Sequence, residues 1–560
     1  MNLVDIVGDR IKKHVLRLGA AHKEWRVLVI DHDTAHLLHY ALPMSEVLSQ
    51  NIAMIERIEE ERQAAADFSV VYFVKMSVGA AKTIQKDFGK KMYSSVYVVS
   101  MGPIEKKAQQ VLDEVAKKVE KRQSKGESLH FTCKAVNFDF LPLCSDVFQL
   151  TVGSNFYLDK ERYALEVADK LQGLCRTVKA QCTPVGVGKV TKKVVERIDT
   201  TGPGKLVVIE RGIDLNTPLL HWFTFESLLW DLGLGGPGYV VDLNGRKKGE
   251  SEGGGDGEGE SDEEARIEMS ESHTVWESVR NTQLVKTHEI LSDLIKDATK
   301  SNEKESKTNI KRLVKAIQEL PSQTKTLKEI KALMGLLERC VNYFNTHEIK
   351  QVAEVEQGIA TGKDAAGSTY KKVATKEFFR VLETARLTKE EKTRLYFLLL
   401  ANMGSLQRNE EKTLLTQGHI SKKEVECWEK AKKHLKGRAA IPLTKRPIPI
   451  ARYTPIIHDV LTAIISKNKK ACTHFDISLP ETRENLSGHS LRKREFVFRA
   501  PAHTTSTEKR PIIIFFIGGV CIAEISEIRE IAKNTGLSII VGSTAVYSPS
   551  GFLSSLSELG

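Results

Sequence analysis

Trp25-Arg26-Val27-Leu28-Val29-Ile30-Asp31 is a short, nearly continuous apolar run, the pattern of a strand covered on both faces. Val70 to Val74 (VVYFV) and Val96 to Val99 (VYVV) repeat it, and helical stretches such as Val47 to Arg62 fall between them. Strands alternating with helices imply crossover units and a parallel sheet. Ala135 to Leu141 is a further strand candidate, with Pro142 as a boundary. A second α/β segment follows. Tyr163 to Leu174 is amphipathic, with Leu165, Val167, Ala168 and Leu171 on one side, and Leu206 to Ile209 is a buried-type strand. That strand runs into the turn Glu210-Arg211-Gly212-Ile213-Asp214. Thr217-Pro218-Leu219-Leu220-His221 then reads as a helix opening, because proline suits the first helical turn.

The chain has 560 residues, too many for one core and enough for about three domains. Apolar residues make up 41% and charged residues 28%, which excludes a wholly disordered or collagen-like chain. The longest uncharged apolar run, Ile512 to Ala523, is short of the roughly 20 residues of a spanning helix. Asp5, Asp9 and Arg10 leave no room for a signal-peptide core, so a cytoplasmic protein with at most peripheral membrane contact is expected. The eight cysteines form no CxxC pair and read as reduced and mostly buried, neither a disulfide framework nor a zinc site.

Net charge is +11, but Glu250 to Glu264 holds eight acids, no base and five glycines, so the rest of the chain stands at +19. Residues 245–265 are therefore the clearest linker. Beyond it, Val275 to Leu435 reads as helical almost throughout. Leu327, Ile330, Met334, Leu337, Val341 and Phe344 recur at three and four residues, a seam that suits a partner helix or the inside of a bundle. Pro321, ahead of the seam, predicts a break or kink. The C-terminus returns to α/β: Pro511 to Val520 and Leu537 to Val541 read as strands, with a helix over Ala523 to Thr535. Two strands with no local partner must join a sheet built elsewhere, most economically that of the second segment. The helical block is then an insertion.

Catalytic motifs are thin. Gly186-Val187-Gly188-Lys189 has the wrong glycine spacing for a phosphate loop, and no Ser or Thr follows the lysine. His32, His36 and His39 follow a strand among Leu37, Leu38 and Leu42, which reads as a turn and second strand rather than a metal-binding helix face. Neither GxSxG nor HExxH occurs. Two other classes stay open: a nucleotide-dependent α/β enzyme with a helical lid, and an RNA-binding scaffold using the basic surface.

An ordered set of short motifs resembles the SM (Sec-one/Munc-eighteen) family of syntaxin-binding membrane-fusion proteins, its exocytic branch most of all. The set comprises Glu24 to Asp31, Ile55-Glu56-Arg57-Ile58-Glu59, Val208 to Asp214 with Pro218-Leu219-Leu220-His221, Val355 to Gly362, Tyr453-Thr454-Pro455-Ile456-Ile457, Ile517-Gly518-Gly519-Val520, Gly542-Ser543-Thr544 and Phe552-Leu553. The resemblance implies an arch of two parallel-sheet α/β domains, with a mostly helical domain inserted into the second. The expected boundaries are 1–142, 143–244, the linker 245–265, the helical domain 266–468 with a hairpin near 310–345, and 469–560.

It also implies a binding protein without cofactor, metal or catalytic residues. Its partners would be a syntaxin-like SNARE, gripped in a cleft of the first domain, the assembling SNARE complex, and a vesicle SNARE aligned along the hairpin. No nucleic-acid partner is implied. The protein would be a monomer, peripheral at plasma or vesicle membranes through its SNAREs. Asp31, His36 and Glu56 look equivalent to syntaxin-cleft contacts. Pro321, Gln323, Thr324 and Met334 match the vesicle-SNARE hairpin, with the turn near Pro321. Leu112, Val115 and Leu141 would line a groove for a syntaxin N-terminal peptide. The Arg211-Gly212 and Gly518-Gly519 motifs look architectural. The sequence departs from the family pattern at Pro43, where a cleft lysine is usual, at His36, where arginine is usual, and at Tyr453, where tryptophan is usual.

Overall fold

The apolar runs become strands buried on both faces, and the chain forms two compact units, residues 1–153 with 169–179 and residues 154–168 with 180–560. The computed structural model describes residues 2–18, 25–127, 129–152, 160–235, 240–242, 266–268, 274–304, 310–370, 374–403, scattered positions between 412 and 428, 451–478 and 511–557; it describes the backbone alone over 297–304 and 310–325 and in the strands at 240–242 and 266–268.

The first unit contains α1 (Leu3–Ile11), β1 (Arg26–Ile30), α2 (His32–Ala41), α3 (Met44–Leu48), β2 (Ile52–Arg57), β3 (Ser69–Val74), α4 (Val78–Gly89), β4 (Val96–Met101), α5 (Lys106–Gln123), β5 (Phe131–Val136) and the hairpin β6 (Phe140–Pro142) and β7 (Val147–Leu150). Its parallel sheet has the order β2-β1-β3-β4-β5. Arg26, the one polar residue of β1, is buried. Its two terminal guanidinium nitrogens donate to the carbonyls of Leu16, Leu18 (2.6 Å) and Gln50, so most of its hydrogen-bonding need is met by backbone. Residues 47–62 are not one helix. They hold the end of α3 and the edge strand β2, whose Ile52 is buried while Ala53 and Met54 face water. The burial of this edge strand does not alternate cleanly, and over so few residues its apolar pattern imitates a helix. Residues 32–41 are helical rather than a second strand, because Asp31 caps them.

After α6 (Lys160–Thr177) come β8 (Cys182–Val187), α7 (Thr191–Val195), β9 (Gly204–Glu210), α8 (Phe225–Asp231), the short antiparallel pair β10 (Val240–Asp242) and β11 (Arg266–Glu268), α9 (Thr274–Val279), α10 (Leu284–Lys304), α11 (Ile310–Thr346), α12 (Ile349–Thr361), α13 (Ala374–Thr384) and α14 (Lys389–Met403). The remaining elements are α15 (Ile456–Ser466), α16 (Lys469–His474), β12 (Ile477–Ser478), β13 (Ile512–Ile517), β14 (Val520–Cys521), α17 (Ile522–Thr535), β15 (Ile539–Ser543), β16 (Val546–Tyr547) and α18 (Pro549–Ser557).

The C-terminal strands join the second sheet. β13 lies parallel between β9 and β15, with Ile512 opposite both Lys205 and Ile539, in the order β12-β8-β9-β13-β15. The α/β-plus-α class read from the sequence therefore holds, with the helices inserted between strands of one sheet. Three details differ. Thr217–Leu219 is a single 3₁₀ turn. Leu165 is exposed, while Val167, Ala168 and Leu171 are buried. The helix α11 runs unbroken through Pro321, so the chain does not turn there. A proline removes one bond of the ladder and clashes with one carbonyl, which a 37-residue helix tolerates. Among the described cysteines none forms a disulfide; six are buried and Cys133 is half-buried.

Candidate functional site

The three cleft candidates lie within the first unit at the ends of β1 and β2. Asp31 leaves β1 and caps α2. Its carboxylate accepts from the Thr34 amide (2.9 Å) and from the Lys75 amide just past β3 (2.6 Å). Both oxygens are thus engaged with backbone donors, which makes Asp31 a structural joint between α2 and β3. His36 is exposed one helical turn after His32, with ring centroids 4.5 Å apart. His39 instead packs edge-on against Tyr40. No group of three or more potential metal ligands exists among the described residues.

Glu56 sits on β2 opposite Val29, half-buried, and accepts from the Tyr93 hydroxyl (3.1 Å). Burial, together with this carboxylate, pushes the Tyr93 hydroxyl well above its ordinary pKa. The exit of β2 is pinned in turn. Arg62 donates to the carbonyls of Arg57 (2.8 Å) and Ile58 (2.8 Å) and pairs with buried Asp87 (2.6 Å), which also accepts from Tyr72 (2.8 Å).

Four exposed apolar side chains in the same part of the first unit escaped sequence reasoning. Trp25 is 55% exposed, Met44 58%, Leu48 44% and Met54 39%, on the start of β1, on α3 and on the edge strand β2. The available signal was length. A five-residue helix can bury only one side, Val47 takes it, and the i, i+4 pair Met44 and Leu48 must face outward.

The groove candidates fare differently. Leu112 and Val115 are core residues of α5, packed with Ala108 and Val119 against the sheet. Their spacing of three and four places them on the covered face, so they do not line a surface groove. Leu141 is half-buried on β6.

In the second unit, α10 and α11 pack side by side. Pro321, Gln323 and Thr324 lie within the helical backbone of α11, and their side chains lie outside the described residues. The connection between α10 and α11 falls upstream, after Lys304 and before Ile310, which corrects the turn expected near Pro321. Met334 is half-buried at the margin of a core formed with Ile330, Leu333 and Leu337 of α11 and with Phe225 and Trp276. The seam is thus mainly internal packing, with Val341 exposed at its end.

The most distinctive motifs form a buried hub. Arg211 pairs with both oxygens of Glu524 (2.6 and 2.7 Å) and also donates to the carbonyl of Asp214. Burial opposes the Arg211 charge, but Glu524 outweighs it and holds the guanidinium pKa above its usual value. The Asp214 carboxylate accepts from Thr217 N (2.9 Å), Tyr453 OH (3.0 Å) and Ile456 N (3.0 Å), fastening the chain returning from the helices. Glu356 accepts from the His221 amide (2.9 Å) and meets its Nδ1 (2.8 Å), and Gln357 accepts from Tyr453 N (2.7 Å). A Cβ at Gly358 would come within 2.5 Å of the Tyr370 ring, so only glycine admits that contact. The turn after β8 is filled by the protein's own carboxylate, because Val190 N donates to Glu210 (3.1 Å). These groups tie elements together.

The Sec1 family model matches residues 26–555. The protein transport protein sec1 of Dictyostelium discoideum is 21% identical, with the match covering all of this chain and 99% of that one. The SNARE-interacting protein KEULE of Arabidopsis thaliana is 18% identical, over all of this chain and 96% of its own length. Among solved structures, the Unc18–syntaxin 1 complex from Monosiga brevicollis is similar at TM-score 0.75 and 17% identity, over all of both chains. The SM protein Vps45 in complex with the Qa SNARE Tlg2 matches at TM-score 0.75 and 14% identity, over all of this chain and 98% of that one. No helix among the described residues is long and apolar enough to cross a membrane.

Proposed function

The chain belongs to the Sec1 family, and from that premise we propose that it binds a syntaxin-like SNARE and acts in vesicle docking and membrane fusion, as a binding protein and not an enzyme. The observation that carries the reading is the family match over residues 26–555, which includes the hub motifs of the second unit and both strands of the proposed binding face.

On that face, Trp25, Met44, Leu48 and Met54 supply the apolar anchors for a partner helix. Burying one large apolar side chain completely is worth about 1.5–3 kcal/mol, so these anchors outweigh the polar contacts in affinity. His36 and Glu56 set register and encounter, as charged rim groups do. Asp31 acts through the shape of α2. The vesicle SNARE aligns along α10 and α11, where Met334 and Val341 border the internal seam and Gln323 and Thr324 lie further up the same helix. The protein works as a monomer, without cofactor, on the cytoplasmic side and peripheral to the membrane through its SNAREs. An N-terminal SNARE peptide has no place at Leu112 or Val115.

Mixing the purified full chain with the cytosolic portions of its organism's syntaxin-type SNAREs tests the reading by size-exclusion chromatography and calorimetry. A complex with at least one of them is expected; failure with all of them overturns it.

A further inference from the structure

The layer formed by α4 and α5 carries a charge pattern that SNARE binding does not use. α4 buries Ala81, Ile84 and Phe88, and α5 buries Ala108, Leu112, Val115 and Val119. Helical periodicity then turns Lys82 and Lys86 of α4, and Lys118 and Lys121 of α5, away from the sheet. All four are exposed, as are Lys90 and Lys125 just past the two helix ends. The two helices share this edge. Gln85 donates to Glu114 (2.9 Å), and the Arg122 guanidinium lies 5.4 Å from the centre of the Phe88 ring.

Acids offset the ridge only in part. On α5, Asp113, Glu114 and Glu120 are exposed against the six exposed lysines. Glu114, one and two turns before Lys118 and Lys121, is engaged by Gln85, and Asp113 accepts from Gln109 (2.8 Å). Glu127 accepts from Arg122 (2.7 Å), which holds its carboxyl pKa below the ordinary value. Asp87 is buried against Arg62 and Tyr72. The acidic loop Glu59–Glu61 adjoins Arg62, hence the flank of α4 that carries Asp87, away from α5. Cations in a last helical turn favour the helix dipole, which accounts for Lys86, Lys121 and Arg122. Lys82 and Lys118, further from the ends, and Lys90 and Lys125, beyond them, exceed that need. Among the described residues no large apolar side chain is exposed on either helix, so the ridge offers no stacking platform for single-stranded nucleic acid and no wedge to insert.

The geometry points to the α4/α5 ridge as a docking surface for an anionic lipid bilayer, held by charge alone. The outer face of two adjacent helices presents its lysines to a surface, not to a pocket. Each lysine that reaches a phosphatidylserine-rich surface gains about fivefold in partition, and the attraction fades within a Debye length. This contact is separate from the Trp25–Met54 face and would add a second, direct hold on the membrane.

The test is sedimentation of the full chain with phosphatidylcholine vesicles, with and without phosphatidylserine, at rising salt. Binding only to the anionic vesicles, falling with salt, is expected. The variant carrying Lys82→Gln, Lys86→Gln, Lys118→Gln and Lys121→Gln should lose on the order of several hundredfold in partition at low salt, about fivefold for each lysine, with at most a small fall in melting temperature from the two dipole-facing lysines and unchanged SNARE binding. Equal binding to neutral vesicles, no binding at all, or an unaffected variant overturns the proposal. Binding to RNA but not to anionic vesicles also overturns it and assigns the ridge to nucleic acid.

Discussion

Replacing Glu524 by Gln removes one charge from a pair whose side chains are each 1% exposed. Arg211 then keeps the carbonyls of Gly519 and Asp214 but loses its bidentate partner, and the Cys521 amide loses a charged acceptor (3.0 Å). An uncompensated buried cation costs about 3–5 kcal/mol, and the two remaining carbonyls place the expected loss near the lower figure, about 3 kcal/mol. Urea unfolding followed by tryptophan fluorescence reads it well. Trp222, Trp230, Trp276 and Trp428 all lie in the second unit, while only Trp25 lies in the first. The main fluorescence transition should move to lower urea with Glu524→Gln and stay in place with Glu127→Gln, which removes an exposed carboxylate. The double variant Arg211→Met with Glu524→Met should recover part of the loss, because the ion pair goes as a unit while the buried Asp214 carboxylate, which also faces Arg211, keeps its hydrogen bonds to Thr217, Tyr453 and Ile456. A single-variant loss under about 1 kcal/mol, typical of a surface pair, would refute the reasoning, and so would a double variant as unstable as the single.

The remaining expectations are narrower. Trp25→Ala with Met44→Ala should weaken SNARE binding about ten- to a hundredfold by calorimetry while leaving the melting temperature alone, since both side chains are exposed; unchanged affinity removes them from the face. Asp31→Ala should cost about 1–2 kcal/mol in thermal unfolding through the lost α2 cap, and no measurable loss would contradict its structural role. Pro321→Ala should raise stability by up to about 3 kcal/mol with no added helix by circular dichroism, and a gain of helix signal would show that the chain is broken there. Gly519→Ala should sharply destabilise the second unit, because a Cβ there would lie 1.9 Å from the Tyr547 ring at φ +96; a variant that melts with the parent would contradict that packing.

Patterns within one element were legible from residues alone. Runs such as Val27 to Ile30, Val70 to Val74 and Ile512 to Ile517 have one stable home, a strand covered on both sides, and such strands need parallel neighbours. The orphan C-terminal strands had to find a distant sheet, and they did; the linker expected at 245–265 lies outside the described residues. Short elements were less legible: residues 47–62 hold too few side chains to separate an edge strand from a helix, and Pro321 obeys a local rule that a long helix absorbs.

The candidate site needed three dimensions. The family resemblance ranks Asp31, Leu112 and Met334 as surface contacts. In the fold, Asp31 spends its carboxylate on two backbone amides, Leu112 lies under α5, and Met334 borders a core. Conversely, Trp25, Met44, Leu48 and Met54 look like core residues in the chain and emerge as surface only because β2 is an edge strand and α3 is one turn long. Local pattern decides which elements form, since hydrophobic periodicity and capping act over a few residues. Which side chains remain facing water depends on which neighbours pack over them, and those neighbours come from anywhere in the chain.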